Sequence, residues 1–184
     1  MAITILDPKT ALIVIDLQKG VASHAPQQQF APVLANNRAL LAAFRAHGLP
    51  VVLVNVAGGA PGRSEQSFSG KTPPAGWDEL LPDLDPQPSD IRVTKRTWGA
   101  FVRTGLEERL KALGVTQVVI TGVATSIGVE STARQAYELG FNVTLAIDAM
   151  ADLNPQAHER SISLIFPRLG ETGTARDIID QLQA

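Results

Sequence analysis

The sequence contains no cysteine, which excludes disulfide bonds, thiolate metal ligands and a cysteine nucleophile. The sequence also lacks an excess of either charge, because 16 basic and 18 acidic residues give a formal net charge of -2. This balance argues against nucleic acid and anionic membranes as partners, since both attract clustered positive charge. No apolar run approaches the roughly 18 residues that cross a bilayer. The N-terminus, MAITILDPKT, lacks the pattern of a signal peptide, so we expect a cytoplasmic protein.

The 184 residues, of which 45% are hydrophobic, fit one domain spanning residues 1–184. Short runs rich in β-branched residues predict strands buried on both faces. They are ALIVI, VVLVNV, IRVT, QVVIT and NVTLAI, starting at residues 11, 51, 91, 117 and 142, with a weaker strand near 169–171. Helical spacing is found at residues 32–47, 104–114 and 126–139, after Asn154 and from Thr174. This alternation predicts an α/β fold with a mostly parallel sheet covered on both sides.

Residues 57–90 are an exception to this alternation. They contain GGAPGR, TPPAGW and LPDLDPQP, which have too much proline and glycine for regular structure. We expect a long surface excursion, and long loops of this kind often carry function.

Polar residues that follow predicted strands are the first candidates for a site, because ligands of parallel sheets bind beyond the carboxyl ends of the strands. Asp16 follows the first strand, Lys95 ends the third and Asp148 ends the fifth. A carboxylate directly after buried residues needs a partner. If the first and third strands place Asp16 and Lys95 together, the two form a buried ion pair with shifted pKa values. Taken singly, Asp16 fits a loop cap equally well, and Lys95 fits a solvated edge lysine.

The segment TGVATSIG, starting at residue 121, predicts a strand-to-helix elbow whose backbone N–H groups can bind an anion. The alternative is an ordinary strand-to-helix turn without a binding role, in which the glycines only allow close packing. The histidines and carboxylates lack metal-ligand spacing, and the phosphate-loop, dinucleotide-binding and serine-hydrolase motifs do not occur. We therefore expect neither a metal nor a cofactor.

Three motifs in series, ALIVIDLQ, TKRTWGAF and ITGVATSIGVESTARQAYELGFNVTLAIDAMAD, resemble the isochorismatase-like hydrolase superfamily, also called the cysteine hydrolase family. The resemblance covers nearly the whole chain and is weakest within residues 57–90 and after Asp152. It implies a three-layer α/β/α sandwich around a six-stranded parallel sheet, assembled as dimers or larger homo-oligomers. It also implies a cis peptide between Val123 and Ala124, with the N–H groups of Ala124 and Gly128 directed into one pocket.

Most members of this superfamily hydrolyse amides through an Asp–Lys–Cys triad. The resemblance places the aspartate at Asp16 and the lysine at Lys95, but Gly128 stands at the cysteine position. The isochorismatases proper are similar in having glycine there, and they hydrolyse a vinyl ether by acid catalysis. The resemblance thus implies that Asp16 is the acid, that Lys95 orients it or binds a substrate carboxylate, and that Gly128 provides space and a backbone donor.

The pocket walls around a small-molecule substrate are expected to include Gln18, Trp98 and Phe101. One departure concerns Val56 and Ala57, which stand where isochorismatases carry a Gln–Pro pair. Two other hypotheses stay open. One is a cysteine-type amidase or carbamoylase whose nucleophile is replaced by glycine, and the other is a binding protein without turnover.

Overall fold

The structure, a computed structural model, describes residues 3–24, 27–65 and 73–183. Its centre is a six-stranded sheet in the order β3-β2-β1-β4-β5-β6, and every neighbouring pair is parallel. The strands are β1 (Thr10–Ile15), β2 (Val51–Val56), β3 (Ile91–Lys95), β4 (Gln117–Val123), β5 (Asn142–Ala151) and β6 (Glu171–Gly173). The predicted parallel α/β fold is confirmed, and the parallel pairing brings all carboxyl ends of the strands to one edge of the sheet.

Helices cover both faces of this sheet and complete three layers. They are α1 (Lys19–Ala22), α2 (Gln27–Ala46), α3 (Leu106–Ala112), α4 (Glu130–Glu138), α5 (Pro155–Arg160) and α6 (Ala175–Leu182). Residues of α3 and α4 share one buried apolar cluster with alternate strand residues such as Ile13 and Ile120. Residues of α2 and α6 share a second cluster with the intervening residues, such as Leu12 and Val119. In the described part of the chain, no helix is both long enough and apolar enough to cross a membrane.

Several element boundaries differ from those predicted. Helix α2 begins at Gln27 rather than at residue 32, because the buried Phe30 extends the apolar stripe N-terminal to Pro32. Strand β5 runs to Ala151, past the predicted end at Asp148, and β6 lies at 171–173 rather than 169–171. The described parts of the 57–90 excursion include a 3-10 turn at Pro82–Leu84 and an antiparallel bridge between Leu80 and Gln18. The excursion is therefore partly attached to the chain just after β1.

Gly122 in β4 is a position at which we expect a side chain to be poorly tolerated. Its φ of +110° is unfavourable for L-residues, and an added Cβ lies 2.1 Å from the carbonyl oxygen of Ile15 in β1. We expect Gly122→Ala to lower the free energy of unfolding by about 2–4 kcal/mol, from backbone strain and overpacking combined. Denaturant titration measures this loss. The matched control is Gly48→Ala, which also has a positive φ, of +64°, but meets no atom within 4 Å; equal losses in the two variants would contradict the steric argument.

Candidate active site

Asp16 and Lys95 meet at the carboxyl edge of the sheet, as the sequence predicts for a pair brought there by the first and third strands. Strand β1 ends at Ile15, and Asp16 then takes a left-handed conformation with φ of 50°. Lys95 is the last residue of β3, so its side chain reaches past the intervening β2. Its Nζ donates a hydrogen bond of 2.7 Å to Asp16 Oδ2 and one of 3.2 Å to the carbonyl of Thr97. The two charges thus form a buried ion pair.

Burial dominates the electrostatics of this pair, since only 5% of Asp16 and 2% of Lys95 are exposed. Desolvation raises the pKa of the Asp16 carboxyl to about 6, although the Lys95 ammonium opposes the change. Asp16 Oδ1 is buried and has no hydrogen-bond partner within the described part of the chain. A carboxyl group of this kind can hold a proton near neutral pH and deliver it from Oδ1.

The elbow after β4 lies against the same carboxyl group. The peptide bond between Val123 and Ala124 is cis, as the resemblance implies, and a π-helical turn follows at Thr125–Val129. Gly128 within this turn is buried, and an added Cβ there would lie 3.2 Å from Asp16 Oδ2 and 2.9 Å from Ile15 Cγ2. The Asp16 carboxyl and the bare backbone of Gly128 therefore border each other.

The start of the elbow is anchored by a residue that the sequence analysis did not single out. Asp152 follows β5 and accepts hydrogen bonds from both the N–H and the hydroxyl of Ser126, each of 2.7 Å. Asp148, the residue predicted at this strand end, instead accepts from the N–H of Ala175 and caps α6. The strand is longer than its apolar run suggests, and for this reason the sequence pointed to the wrong carboxylate.

Two further contacts tie the elbow to the chain that follows β5. Thr125 Oγ1 and His158 Nδ1 share a hydrogen bond of 2.8 Å, and Ser161 donates to Glu130 Oε2 at 2.7 Å. Sequence spacing carries no signal for either pair, because the partners are about thirty residues apart. Within residues 3–24, 27–65 and 73–183, no group of three or more histidine, aspartate and glutamate side chains is arranged to hold a metal ion.

The two predicted aromatic pocket residues lie in different surroundings. Trp98 is 65% exposed in the loop after β3. Phe101 is partly buried and stacks on Phe141, with ring centroids 5.9 Å apart. Of these two residues, Trp98 presents its aromatic ring to solvent, while the ring of Phe101 joins the core under α3 and α4.

Gln18, the third predicted pocket residue, is completely buried. Its Nε2 donates to the carbonyls of Val56 and Trp77, and its Oε1 accepts from the N–H of Val56. Both amide protons are therefore used by protein groups.

The Asp16 carboxyl is covered in this structure, since its Oδ1 is buried. A cleft of about 410 Å³ lies beside the loop that follows Asp16 and is lined by residues including Gly20, Trp77 and Glu79. Neither this cleft nor one of about 450 Å³ at the other edge of the sheet is lined by Asp16, Lys95 or Gly128. Contact between a ligand and Asp16 Oδ1 therefore requires local movement.

The comparison with known families defines the class of the protein. Residues 10–177 match the isochorismatase domain, which together with the all-parallel sheet makes the protein an isochorismatase-like hydrolase. The chain belongs to the isochorismatase family.

Individual relatives agree with this assignment. The chain is 41% identical over 183 residues to YwoC, an isochorismatase family protein of Bacillus subtilis strain 168, with 95% of each chain covered. It is 31% identical over 178 residues to the ureidoacrylate amidohydrolase RutB of Pseudomonas syringae pv. syringae, covering 80% of this chain and 73% of that protein. Among solved structures, an isochorismatase family protein from Burkholderia thailandensis has a TM-score of 0.91 and 38% identity, with 98% of both chains covered. The relatives include an amidohydrolase, so family membership alone leaves open which bond is cleaved.

Proposed function

We propose that the protein hydrolyses the ether bond of a small carboxylated enol ether, with Asp16 as general acid and without a covalent nucleophile. The observation that carries the proposal is the buried Oδ1 of Asp16, which has no hydrogen-bond partner among the described residues and lies beside Gly128, a position that offers no nucleophilic side chain. The raised pKa of Asp16 supports the same role, because a carboxyl with a pKa of about 6 keeps a usable protonated fraction at neutral pH. An enol ether suits such a site, since protonation of its carbon makes the adjacent carbon reactive towards water.

The proposed reaction starts from R–O–C(=CH2)–COO⁻ with Asp16 protonated on Oδ1. The proton passes to the methylene carbon as the C=C electron pair forms the new C–H bond, which leaves an oxocarbenium centre. Water adds to this centre and returns a proton to Asp16. The resulting hemiketal breaks its bond to the R–O oxygen as its hydroxyl proton moves to that oxygen, and the products are R–OH and pyruvate.

The neighbouring groups have distinct proposed roles in these steps. Lys95 holds Asp16 Oδ2, so the acidic proton resides on Oδ1, and its positive charge stabilises the carboxylate left after proton donation. The backbone N–H groups of Ala124 and Gly128 are the proposed donors to a substrate oxygen. Trp98, which is exposed, is a proposed wall of the opened pocket. The family resemblance also supports a homo-oligomer.

Isotope labelling tests the proposal directly. With isochorismate as substrate in D2O, we expect pyruvate that carries one deuterium in its methyl group, because the transferred proton exchanges with solvent before it reaches carbon. In H2¹⁸O, the alcohol product should contain no ¹⁸O, since water attacks the enol carbon and the ether oxygen stays with R. A methyl group without deuterium, or ¹⁸O in the alcohol, excludes this mechanism.

The amidase hypothesis is favoured by one specific observation, the similarity to a ureidoacrylate amidohydrolase. Introducing a thiol tests it. Under the proposed ether hydrolysis, we expect Gly128→Cys to show no hydrolysis of ureidoacrylate or other small amides. We also expect it to lose ether turnover, because its Cβ crowds Ile15 and Asp16. Ile127→Cys, which puts a thiol on the exposed side of the same turn, is the control. Amide hydrolysis gained by Gly128→Cys alone favours the amidase hypothesis.

A further inference from the structure

The side-chain amide of Gln18 joins separate segments of the chain next to the candidate acid. Gln18 is 0% exposed, its Oε1 accepts from the N–H of Val56 at 2.8 Å, and its Nε2 donates to the Val56 carbonyl at 3.0 Å. This two-sided pairing resembles the way one strand pairs with the next. A third bond, of 3.1 Å, runs from Nε2 to the carbonyl of Trp77 in the excursion. The amide therefore connects the loop after β1 with both β2 and the excursion.

Val56 lies beside Lys95, and the next residue along the chain, Ala57, donates its N–H to the Lys95 carbonyl at 2.9 Å. In the parallel pairing of β2 with β3, Val56 is in register with Lys95. Asp16 lies two residues before Gln18, and the N–H of Gln18 donates to the Asp16 carbonyl at 2.9 Å. Strand β2 thus connects both members of the ion pair, and on the Asp16 side the Gln18 amide adds a second attachment to the backbone bond from Asp16 to Val54.

The backbone of Asp16 needs such a connection. Its φ of 50° lies in the left-handed region, which non-glycine residues adopt only where the surroundings hold them there. The loop after Asp16 makes other backbone bonds, from Lys19 to the Glu79 carbonyl and from Gly20 to the Trp77 carbonyl. These bonds tie the loop to the excursion and not to β2. Asp16 itself donates its N–H to the Val54 carbonyl of β2 at 2.9 Å, and the bonds from Gln18 to Val56 are what continue this attachment to β2 past the left-handed residue.

We propose that Gln18 is a positioning residue that holds the Asp16 carboxyl against Lys95 through Val56 and does not contact the substrate. This role differs from the substrate contact expected from the sequence. The contribution of this positioning role to catalysis rests on the proposed function, but the experiment that tests the role uses the ligand-free protein. Failure of the test and failure of the ether-hydrolysis proposal are therefore separate results.

The pKa of Asp16 reports whether its carboxyl keeps its buried position beside Lys95. Lys95 is the charged group that acts on this carboxyl, whereas Val54 and Val56 of β2 and Gly128 of the elbow carry no charge. Loosening the loop admits water, which lowers the pKa of Asp16 from about 6, and weakens the contact with Lys95, which raises it; because burial is the larger influence, we expect the pKa to fall.

The experiment follows the ¹³C resonance of the Asp16 carboxyl in the full-length protein as a function of pH. For Gln18→Met, which keeps the side-chain length and removes the amide, we expect the midpoint to fall by about one pH unit or more. The matched control is Gln117→Met. Gln117 is another buried glutamine, bonded to Asp7, Thr10 and Thr144 at the opposite edge of the sheet. This control also loses buried hydrogen bonds, but its Asp16 midpoint should stay at the wild-type value.

Two results overturn the proposal. One is an Asp16 midpoint in folded Gln18→Met that equals that of the wild type, and the other is an equal fall in Gln117→Met. If Gln18→Met does not fold, Gln18→Asn replaces it, because it keeps an uncharged amide but is one methylene too short to make both bonds to Val56. A smaller fall in the same direction is then expected, and an unchanged midpoint overturns the proposal.

Discussion

Replacing Asp16 by asparagine is expected to reduce turnover of an enol ether by a factor of about 10²–10⁴, the range that a general acid contributes. Asparagine keeps the shape of the side chain but has no acidic proton to give to carbon. The measurement is pyruvate release under single-turnover and steady-state conditions. Full activity in Asp16→Asn would contradict the proposed role. Undiminished ligand binding, with no turnover in either the variant or the wild type, would favour a binding protein.

Asp90→Asn is the matched control for this substitution. Asp90 is also a buried carboxylate, paired with Arg45 at 2.6 Å, but it immediately precedes β3 and so lies at the end of that strand remote from Lys95. Both variants exchange a buried charged carboxylate for an amide. A loss of turnover caused by general destabilisation appears in both, whereas a loss of proton transfer appears in Asp16→Asn alone.

The same acid predicts the pH profile of the wild-type enzyme. Asp16 must be protonated to act, and its pKa in the free protein is about 6. We therefore expect kcat/KM to be nearly constant below this pH and to fall about tenfold for each pH unit above it. A profile that rises through pH 6 would mean that the active form of Asp16 is the carboxylate, as for a general base.

Replacing Lys95 by methionine is expected to lower the free energy of unfolding by about 3–5 kcal/mol at pH 8, because it leaves the buried Asp16 carboxylate without its cation. The loss should be smaller at pH 5. Without Lys95, the folded-state pKa of Asp16 moves further above its unfolded value, so the folded protein binds the proton more tightly and stability falls as pH rises. Below that folded-state pKa the carboxyl is neutral, and the missing cation costs little. Urea titrations at the two pH values measure the difference.

Two comparisons isolate the ion pair. Lys111→Met removes a lysine from the exposed pair with Glu107 and should change stability by less than about 1 kcal/mol at both pH values. The double variant Asp16→Asn/Lys95→Met should recover part of the loss at pH 8, because neither charge is then buried alone. A loss in Lys95→Met that is the same at pH 5 and pH 8 would show that lost packing, not charge, is responsible.

The proposed role of Gln18 could not be derived from the sequence. As a polar residue three positions after β1, it was expected to contact the substrate, and nothing local shows that β2 offers both its N–H and its carbonyl at Val56. The anchor at Asp152 was missed for a related reason. Strand β5 continues beyond its β-branched run through Ala149, Met150 and Ala151, so the strand end could not be located from composition.

The sequence by itself determined the approximate positions of the strands, their burial on both faces and Asp16 as a candidate site residue. Continuous β-branched runs such as ALIVI can be stable only as strands buried on both faces, and a carboxylate directly after such a run requires a partner. The missing cysteine excluded a thiol nucleophile before any geometry was known. These conclusions depend on local pattern and on the chemistry of single residues.

Only the tertiary structure decided that Asp16 and Lys95 meet. The two residues are 79 positions apart, and β2 separates their strands, which places the strand axes roughly 10 Å from each other. Parallel register brings both strand ends to one edge, and the long lysine side chain closes the remaining distance. The raised pKa of Asp16 has the same origin, because it arises from burial beneath segments that are distant in the chain. Contacts of this kind depend on how the strands are ordered and registered, and no local pattern of residues contains that information.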